Sequence, residues 1–345
     1  MAARMARGTA AFVSAVGAIS LGLVAGASAA EGNAEVSARH VAAAQEAAGD
    51  DLTLALGNCK DIGKTFVIPE GKLHGMLEKL TTLGPRPPVT VFDNLHYVGT
   101  KWVSAWAIET SDGIILFDAL NNAKEAKDYI EAGLEELGLD PADIKKIIVA
   151  HAHGDHYGGA KYLQDTYGPE VIMSALDWAE LEKPELQYAD ELWDAPPERD
   201  VAVDDGDTVT LGDTTAQIVL MPGHTVGTIG IVFDVMDGDE AHKAVIWGGN
   251  GLNFGPDAGR FLDMMHSADK VREMAAEEGI DVFLSNHPGT DGTDEKAERL
   301  ANRKDGDPHP FVIGTDGVER FMTALRECVA AQLASFDAEA ADSAD

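Results

Sequence analysis

The 345-residue chain is 45% hydrophobic and 25% charged, enough apolar material for one large domain or two moderate ones and too much for a disordered chain. Its 59 acidic against 26 basic residues give a net charge of −33. A field of that sign repels phosphate backbones and argues against nucleic acid as a partner. The acids are spread along the chain, as on a hydrated acidic surface.

The chain opens with Arg4 and Arg7, then small or apolar residues from 9 to 26, then Ala27-Ser28-Ala29. A basic start, an apolar run and a small-x-small site predict a signal peptide over residues 1–29, cleaved beside Ala30, and thus a periplasmic or secreted protein. A membrane anchor is the competing reading, but the stretch is rich in Ala and Gly, marginal in length and ends in a cleavage pattern. No later stretch is apolar enough to cross a bilayer, so the mature chain is expected to be free of the membrane.

Residues 30–88 read as an Ala-rich, polar N-terminal extension closed by Leu83-Gly84-Pro85-Arg86-Pro87-Pro88, a stiff punctuation. Strand patterns follow at Val89–Phe92, Tyr97–Val98, Trp102–Ile108 and Gly113–Phe117. Ala126, Tyr129, Ile130, Leu134 and Leu137 share one helical face. The run to Ala150, apolar after Lys145 and Lys146, reads as a strand buried on both faces. A helix is expected from Gly158-Gly159 and another over Ser174–Leu181, before Ala195-Pro196-Pro197 interrupts. Strands return at Val201–Val203, Thr208–Leu211, Ala216–Met221, Ile229–Met236 and Ala244–Trp247. A long helix (Ala258–Glu278), a strand (Ile280–Ser285) and two closing helices complete the chain. Two successive blocks of strands followed by helices suit an αββα sandwich, two mixed β-sheets with outer helices, better than alternating βαβ units. The domain is expected over 89–304, with a C-terminal helix and acidic tail over 305–345; the tail from Asp337 is expected to fray.

Two cysteines, Cys59 and Cys328, lie near opposite ends of the mature chain. Neither stands in a CxxC or near a histidine at ligand spacing, which argues against a thiolate metal site. Export permits a bridge between them, tying the extension to the last helix. The alternative is that Cys328 is a plain core residue, on a stripe with Phe321 and Leu325.

The chemistry concentrates in His151-Ala152-His153-Gly154-Asp155-His156. It follows directly on a buried strand, where a rigid element ends and side chains are presented together. In extended backbone His151 and His153 point the same way and can share one metal; Gly154 permits a change of direction that brings Asp155 and His156 to a neighbouring position, and Gly158-Gly159 is expected to keep the mouth clear. A lone histidine is usually a satisfied polar residue, but three with an aspartate in six positions would strand several buried polar groups without a metal. Imidazole and carboxylate suit Zn²⁺. His224, in Pro222-Gly223-His224-Thr225, and His287, in Asn286-His287-Pro288, also sit at strand ends; His40, His74, His96, His242, His266 and His309 do not share that setting or lie in polar segments.

His151-x-His153-x-Asp155-His156, followed by Pro222-Gly223-His224-Thr225 and Asn286-His287-Pro288, resembles the metallo-β-lactamase superfamily over roughly 89–303. Phe92–Thr100, Leu116-Phe117-Asp118 and Asp204–Leu211 resemble further stretches of that family. The segment Val245–Gly251 has no acid and no cysteine where many superfamily hydrolases place a metal-bridging acid, and this is similar to subclass three of the class B β-lactamases. The resemblance implies two zinc ions per chain, one on His151, His153 and His224, the other on Asp155, His156 and His287, with Asp155 also orienting the attacking water. It makes Asp118 a support for a ligand, and Thr225, Asn250 and Asn253 further candidates for support or substrate contact. The implied reaction is attack of a metal-activated water on an amide or ester carbonyl of a small molecule, β-lactamase-like. Serines that hold a substrate carboxylate in the resembling enzymes are replaced here by Asn250-Gly251-Leu252-Asn253, so a lactonase or esterase is the alternative. An iron-dependent redox member and a zinc-binding protein without turnover are the remaining readings; the absent bridging acid speaks against the first and the full ligand set against the second.

Overall fold

The computed structural model describes residues 18–64, 68–69 and 71–344. Residues 1–17 of the expected signal peptide lie outside the described residues, and Ala18–Ala29 fall in the first part of a helix, Ala18–Ala48. No helix among the described residues is long and apolar enough to cross a membrane.

Twelve strands form two sheets. The first runs β1 (Val89–Phe92), β2 (Leu95–Tyr97), β3 (Trp106–Thr110), β4 (Gly113–Phe117), β5 (Ile144–Ile148), β6 (Glu170–Ser174) and β7 (Val201–Val203), in that spatial order. The second has the order β12 (Val282–Ser285), β11 (Glu240–Trp247), β10 (Ile229–Asp237), β9 (Thr214–Leu220) and β8 (Thr208–Leu211). Both are mixed: β1 to β4 pair antiparallel and β4 to β7 parallel, while β12 pairs parallel with β11 in an otherwise antiparallel sheet.

The two-residue period of a strand sends alternate side chains to opposite faces, and it assembles the layers. Ile115 and Phe117 of β4 join Ile148, Ile172, Ile231, Ile246 and Leu284 in the core between the sheets. Ile114 and Leu116 face the other way, into a cluster with Ala126, Ile130, Leu134 and Leu163 of the covering helices. In the second sheet Val245, Trp247 and Phe283 face outward onto Phe261, Met265, Phe321 and Leu325. Each such aliphatic or Phe side chain, fully buried, contributes about 1.5–3 kcal/mol of transfer free energy. The result is the expected αββα sandwich.

Local departures have local causes. The strand pattern read at Trp102–Ile108 begins only at Trp106, because Thr100 Oγ1 accepts from the amides of Trp102 (3.1 Å) and Val103 (2.8 Å) and turns the chain into a loop. The helix read from Gly158-Gly159 is two helices, Gly154–Tyr157 and Ala160–Tyr167. The glycine pair does not clear a mouth: a Cβ on Gly158 would lie 1.9 Å from the Asn121 carbonyl oxygen, and one on Gly159 2.2 Å from that of Ala119. The pair lets the helix pack onto the loop after β4.

The N-terminal extension is built into the core. Ala48, Leu52 and Ala55 join the cluster under the last long helix, Thr315–Ala334. Ser37 Oγ donates to Ala331 O (2.8 Å), His40 meets Glu327 (2.6 Å), and Cys59 is disulfide-bonded to Cys328. Cys328 is at once a bridge and a buried core residue. The tail expected to fray is instead docked from 338 to 342 as a short helix that buries Ala341 and pairs Asp342 with Arg39.

Candidate metal centre

The six histidine and aspartate candidates come from three strand ends. His151, His153, Asp155 and His156 follow β5, His224 follows β9 and His287 follows β12. Strands β9 and β11 run parallel to one another on either side of the antiparallel β10, and β12 runs parallel to β11, so the C-terminal ends of the three lie on one edge of the sheet. The helix Gly154–Tyr157 starts immediately after His153 and carries Asp155 and His156 round to the neighbouring set, with the His156 ring 4.2 Å from that of His151. Gly154 is required there, since a Cβ would stand 2.3 Å from the Trp193 ring.

The side chains form two sets of three, His151/His153/His224 and Asp155/His156/His287, with the ligand-type atoms of each set within 4.8 Å of one another. In the first set His151 Nε2 and His153 Nδ1 each stand 3.1 Å from His224 Nε2. The other nitrogens of two of these rings are already committed: His151 Nδ1 donates to Gly248 O (2.9 Å) and His224 Nδ1 to Gly251 O (2.7 Å). Those carbonyls assign the proton to Nδ1, which leaves two bare Nε2 lone pairs facing each other. Two acceptors cannot bond one another; a cation between them resolves the contact. In the second set His287 Nδ1 donates to Trp102 O (2.8 Å) and His156 Nδ1 to Asp118 Oδ2 (2.7 Å). Their Nε2 atoms lie 3.8 Å and 3.3 Å from Asp155 Oδ2, and His156 Nε2 is buried without a hydrogen-bond partner. Neutral imidazoles and a carboxylate at this spacing fit Zn²⁺.

Electrostatics agree. Burial pushes His151 and His153 well below the ordinary imidazole value, reinforced by neighbouring rings. Burial takes His224 down to about 4 and lowers His287 as well. Burial works against charge on His156 and Asp155 too, but there the pair's mutual attraction wins: His156 is pushed up to about 10 by Asp155 and Asp118, and Asp155 is held below the usual carboxylate range chiefly by His156. Without metal, a proton on His156 neutralises the acids that a cation would otherwise hold.

Supporting residues include several that the sequence did not disclose. Asp118, fully buried and at φ 64°, accepts from His156 Nδ1 through one oxygen and from Ala150 N (2.7 Å) through the other. Asp177 was missed. It accepts from Ala152 N (2.9 Å), Gly227 N (3.0 Å) and Thr225 Oγ1 (2.7 Å), and so fastens the His151–His153 loop to the His224 loop. Thr225 thereby has its hydroxyl engaged by Asp177 and Thr228. Arg260 was also missed: Nε donates to Gly223 O (2.9 Å) and Nη2 to His224 O, while Phe254 lies 3.9 Å under the guanidinium. Asp177 stands in the first turn of the helix Ala175–Leu181, where an acid is ordinary, and nothing in its local sequence flags it.

The loop after β11 explains why no acid bridges the two sets. A Cβ on Gly248 would sit 1.9 Å from Ile229 O, and one on Gly249 2.8 Å from His224 Cδ2. Backbone fills the place, and its carbonyls orient the histidines. Asn250 and Asn253 lie on the wall of a cavity of about 380 Å³ that opens on His153, Asp155, His224 and His287. Their backbone oxygens accept from Asn58 Nδ2 (2.9 Å) and Tyr188 Oη (2.5 Å).

Fold and site together define a class: an αββα sandwich with two convergent three-ligand sets at its strand ends. Residues 101–238 match the Metallo-beta-lactamase superfamily. Among solved structures, BJP-1, a subclass B3 metallo-β-lactamase of Bradyrhizobium japonicum, superposes with a TM-score of 0.62 at 31% identity, over 70% of this chain and 92% of that one. The native FEZ-1 metallo-β-lactamase from Legionella gormanii gives 0.62 at 27%, over 69% and 92%. Among curated proteins, a hydroxyacylglutathione hydrolase of Gloeobacter violaceus is 31% identical over 160 residues, 46% of this chain and 55% of its own length. One from Bradyrhizobium sp. is 30% identical over 124 residues, 35% of this chain and 43% of its own. The chain thus spans about half the length of these curated relatives. It belongs to the metallo-β-lactamase superfamily.

Proposed function

We propose that this protein is an exported zinc-dependent hydrolase that opens an amide or ester carbonyl of a small molecule. The observation that carries it is the pair of bare imidazole nitrogens of His151 and His224, 3.1 Å apart with their outer nitrogens donating to Gly248 and Gly251. In this reading His151, His153 and His224 hold one zinc and Asp155, His156 and His287 a second. When bound, the ions supply an activated water and polarise the carbonyl. Asp155 accepts a hydrogen bond from the attacking water and aims it. Asp118 keeps His156 in the tautomer that leaves Nε2 free, and Trp102 O does the same for His287. Asn250 and Asn253, on the cavity wall, are the candidates for substrate contact.

The solved relatives named as metallo-β-lactamases make β-lactams the first substrates to try. An ester or thioester is the second reading, supported by the curated relatives and by the cavity: among the described residues, no lysine or arginine lines it to meet a β-lactam carboxylate. The metal domain is assigned to 89–304, behind a cleaved signal at 1–29 and an extension at 30–88, and before the C-terminal helix and tail at 305–345. Hydrolysis by the zinc-loaded mature protein across penicillins, carbapenems, lactones and simple esters, with and without chelator, is the test. Turnover of none of them sinks the proposal; chelator-resistant turnover removes the metal from it.

A further inference from the structure

The cavity over the metal centre is two-sided. Its floor is polar and made by the metal-site residues. One wall comes from the N-terminal extension, outside the residues that match the superfamily: Ile68 and, from the helix Leu73–Thr81, Leu73, Met76, Leu77 and Leu80. Positions 73, 76, 77 and 80 are spaced three and four apart, so they form one apolar stripe on that helix. Leu77 is buried, whereas Met76 is 38% exposed and lines the cavity. The wall is held at both ends. Ahead of it are the Cys59–Cys328 bridge and the Asn58–Asn250 hydrogen bond; behind it Lys101 N donates to Gly84 O (3.0 Å) and Arg86 pairs with Asp294. From the helix itself His74 Nδ1 reaches Asp190 Oδ1 at 3.0 Å.

A wall tethered in this way is part of the site's shape, and its chemistry selects what binds. An apolar stripe rewards methylene groups, and among the described residues none of those lining that wall is a lysine or arginine to meet an anionic substrate. Resting on the hydrolase reading above, we propose that the substrate is an uncharged carboxylic ester, open or cyclic, whose apolar acyl chain lies along Leu73, Met76 and Leu80. Water adds to the acyl carbon, the bond from that carbon to the alkoxy oxygen breaks, and the alkoxy oxygen leaves with a proton, giving acid and alcohol with no other reactant. The N-terminal extension is then the element that determines specificity.

The test compares p-nitrophenyl acetate, butyrate and octanoate with a penicillin on the zinc-loaded mature protein, for wild type, Met76→Asp and Leu73→Ala. In parallel, octanamide binding to metal-free protein is followed by tryptophan fluorescence, since Trp102 and Trp193 line the same cavity. The expected result is kcat/KM rising with chain length in the wild type. The variants lose roughly ten-fold or more on octanoate, through KM, and little on acetate, and Met76→Asp binds octanamide more weakly. Chelator-sensitive turnover that is flat across chain length, or octanamide binding unchanged in Met76→Asp, overturns the acyl wall and leaves the hydrolase reading standing. Met76-sensitive octanamide binding with no turnover of any ester or penicillin overturns the hydrolase reading and, with it, the ester assignment. Faster turnover of the penicillin than of octanoate also overturns the ester assignment.

Discussion

His151 and His224 face each other through bare Nε2 atoms 3.1 Å apart, each ring locked from behind by a backbone carbonyl. Neither ring can turn to give the other a proton without abandoning that carbonyl. The geometry is therefore prepared for a cation and costly without one. Metal-free protein should take up two zinc equivalents per chain, counted by isothermal titration, and melt at a higher temperature when loaded. His287→Ala should bind one. Retention of both equivalents in that variant would show the second set to be misassigned.

Zinc uptake should also release protons. Asp155 and Asp118 hold His156 protonated up to about 10 in the metal-free site, and metal must displace that proton to reach Nε2. Titrations near neutral pH in buffers of different ionisation enthalpy should give different apparent heats. Identical heats in all buffers would mean that His156 is already neutral.

Asp118 is fully buried; one of its oxygens holds His156 and the other the Ala150 amide. Asp118→Ala should weaken zinc binding about 10–100-fold while leaving the His151/His153/His224 set filled. Competition with a chromogenic chelator reads this directly; equal affinity for both equivalents contradicts it.

Asp177 joins two ligand loops through three accepted hydrogen bonds. Asp177→Ala strands those donors at about 1–3 kcal/mol each if no water replaces the carboxylate. Burial pushes the Asp177 carboxyl up to about 6, above the ~3.9 of an unfolded aspartate. A raised acid binds its proton more readily in the folded state, so this group's contribution favours folding increasingly as pH falls from about 6 towards ~4. Denaturant melts of wild type and Asp177→Asn across that window should show the wild type gaining relative to the variant as pH drops. A pH-independent difference would contradict the assignment.

The Cys59–Cys328 bridge closes a separation of 269 residues, and its loss should cost about 2–5 kcal/mol. Beside it, burial raises Glu327, but His40 and Arg326 together hold it below the usual range. Its contribution is therefore present above ~4.3 and lost as pH falls below that value. Cys59→Ser with Cys328→Ser should lower the melting temperature, and acid should undock the N-terminal helix sooner in that variant, seen as protease cleavage near residue 60. Equal cleavage in both proteins would show that the bridge does not hold the extension.

Much of the site was legible because its residues are consecutive or sit at strand ends. His151 to His156 cluster three histidines and an aspartate in six positions, and His224 and His287 each follow an apolar run. Asp177, Arg260, Trp102, Tyr188 and Trp193 were not legible. Each acts through a contact across more than twenty residues of chain: Asp177 with Ala152, Arg260 with Gly223, Trp102 with His287. Thr225 was legible as a member of a motif but not as a partner of Asp177. The strand at Trp102 was overread because its apolar period continues through a turn that Thr100 makes by hydrogen bonding.

By itself the sequence determined the layer pattern, through two-residue alternation in the strands, and the ligand types, through their clustering. Tertiary structure alone decided which nitrogen of each ring is free, since that depends on the carbonyls of Gly248, Gly251 and Trp102 brought up by distant segments. It also decided that the N-terminal extension walls the cavity. A wall is a matter of where surfaces meet, and no local pattern around Leu73 or Met76 specifies what lies opposite.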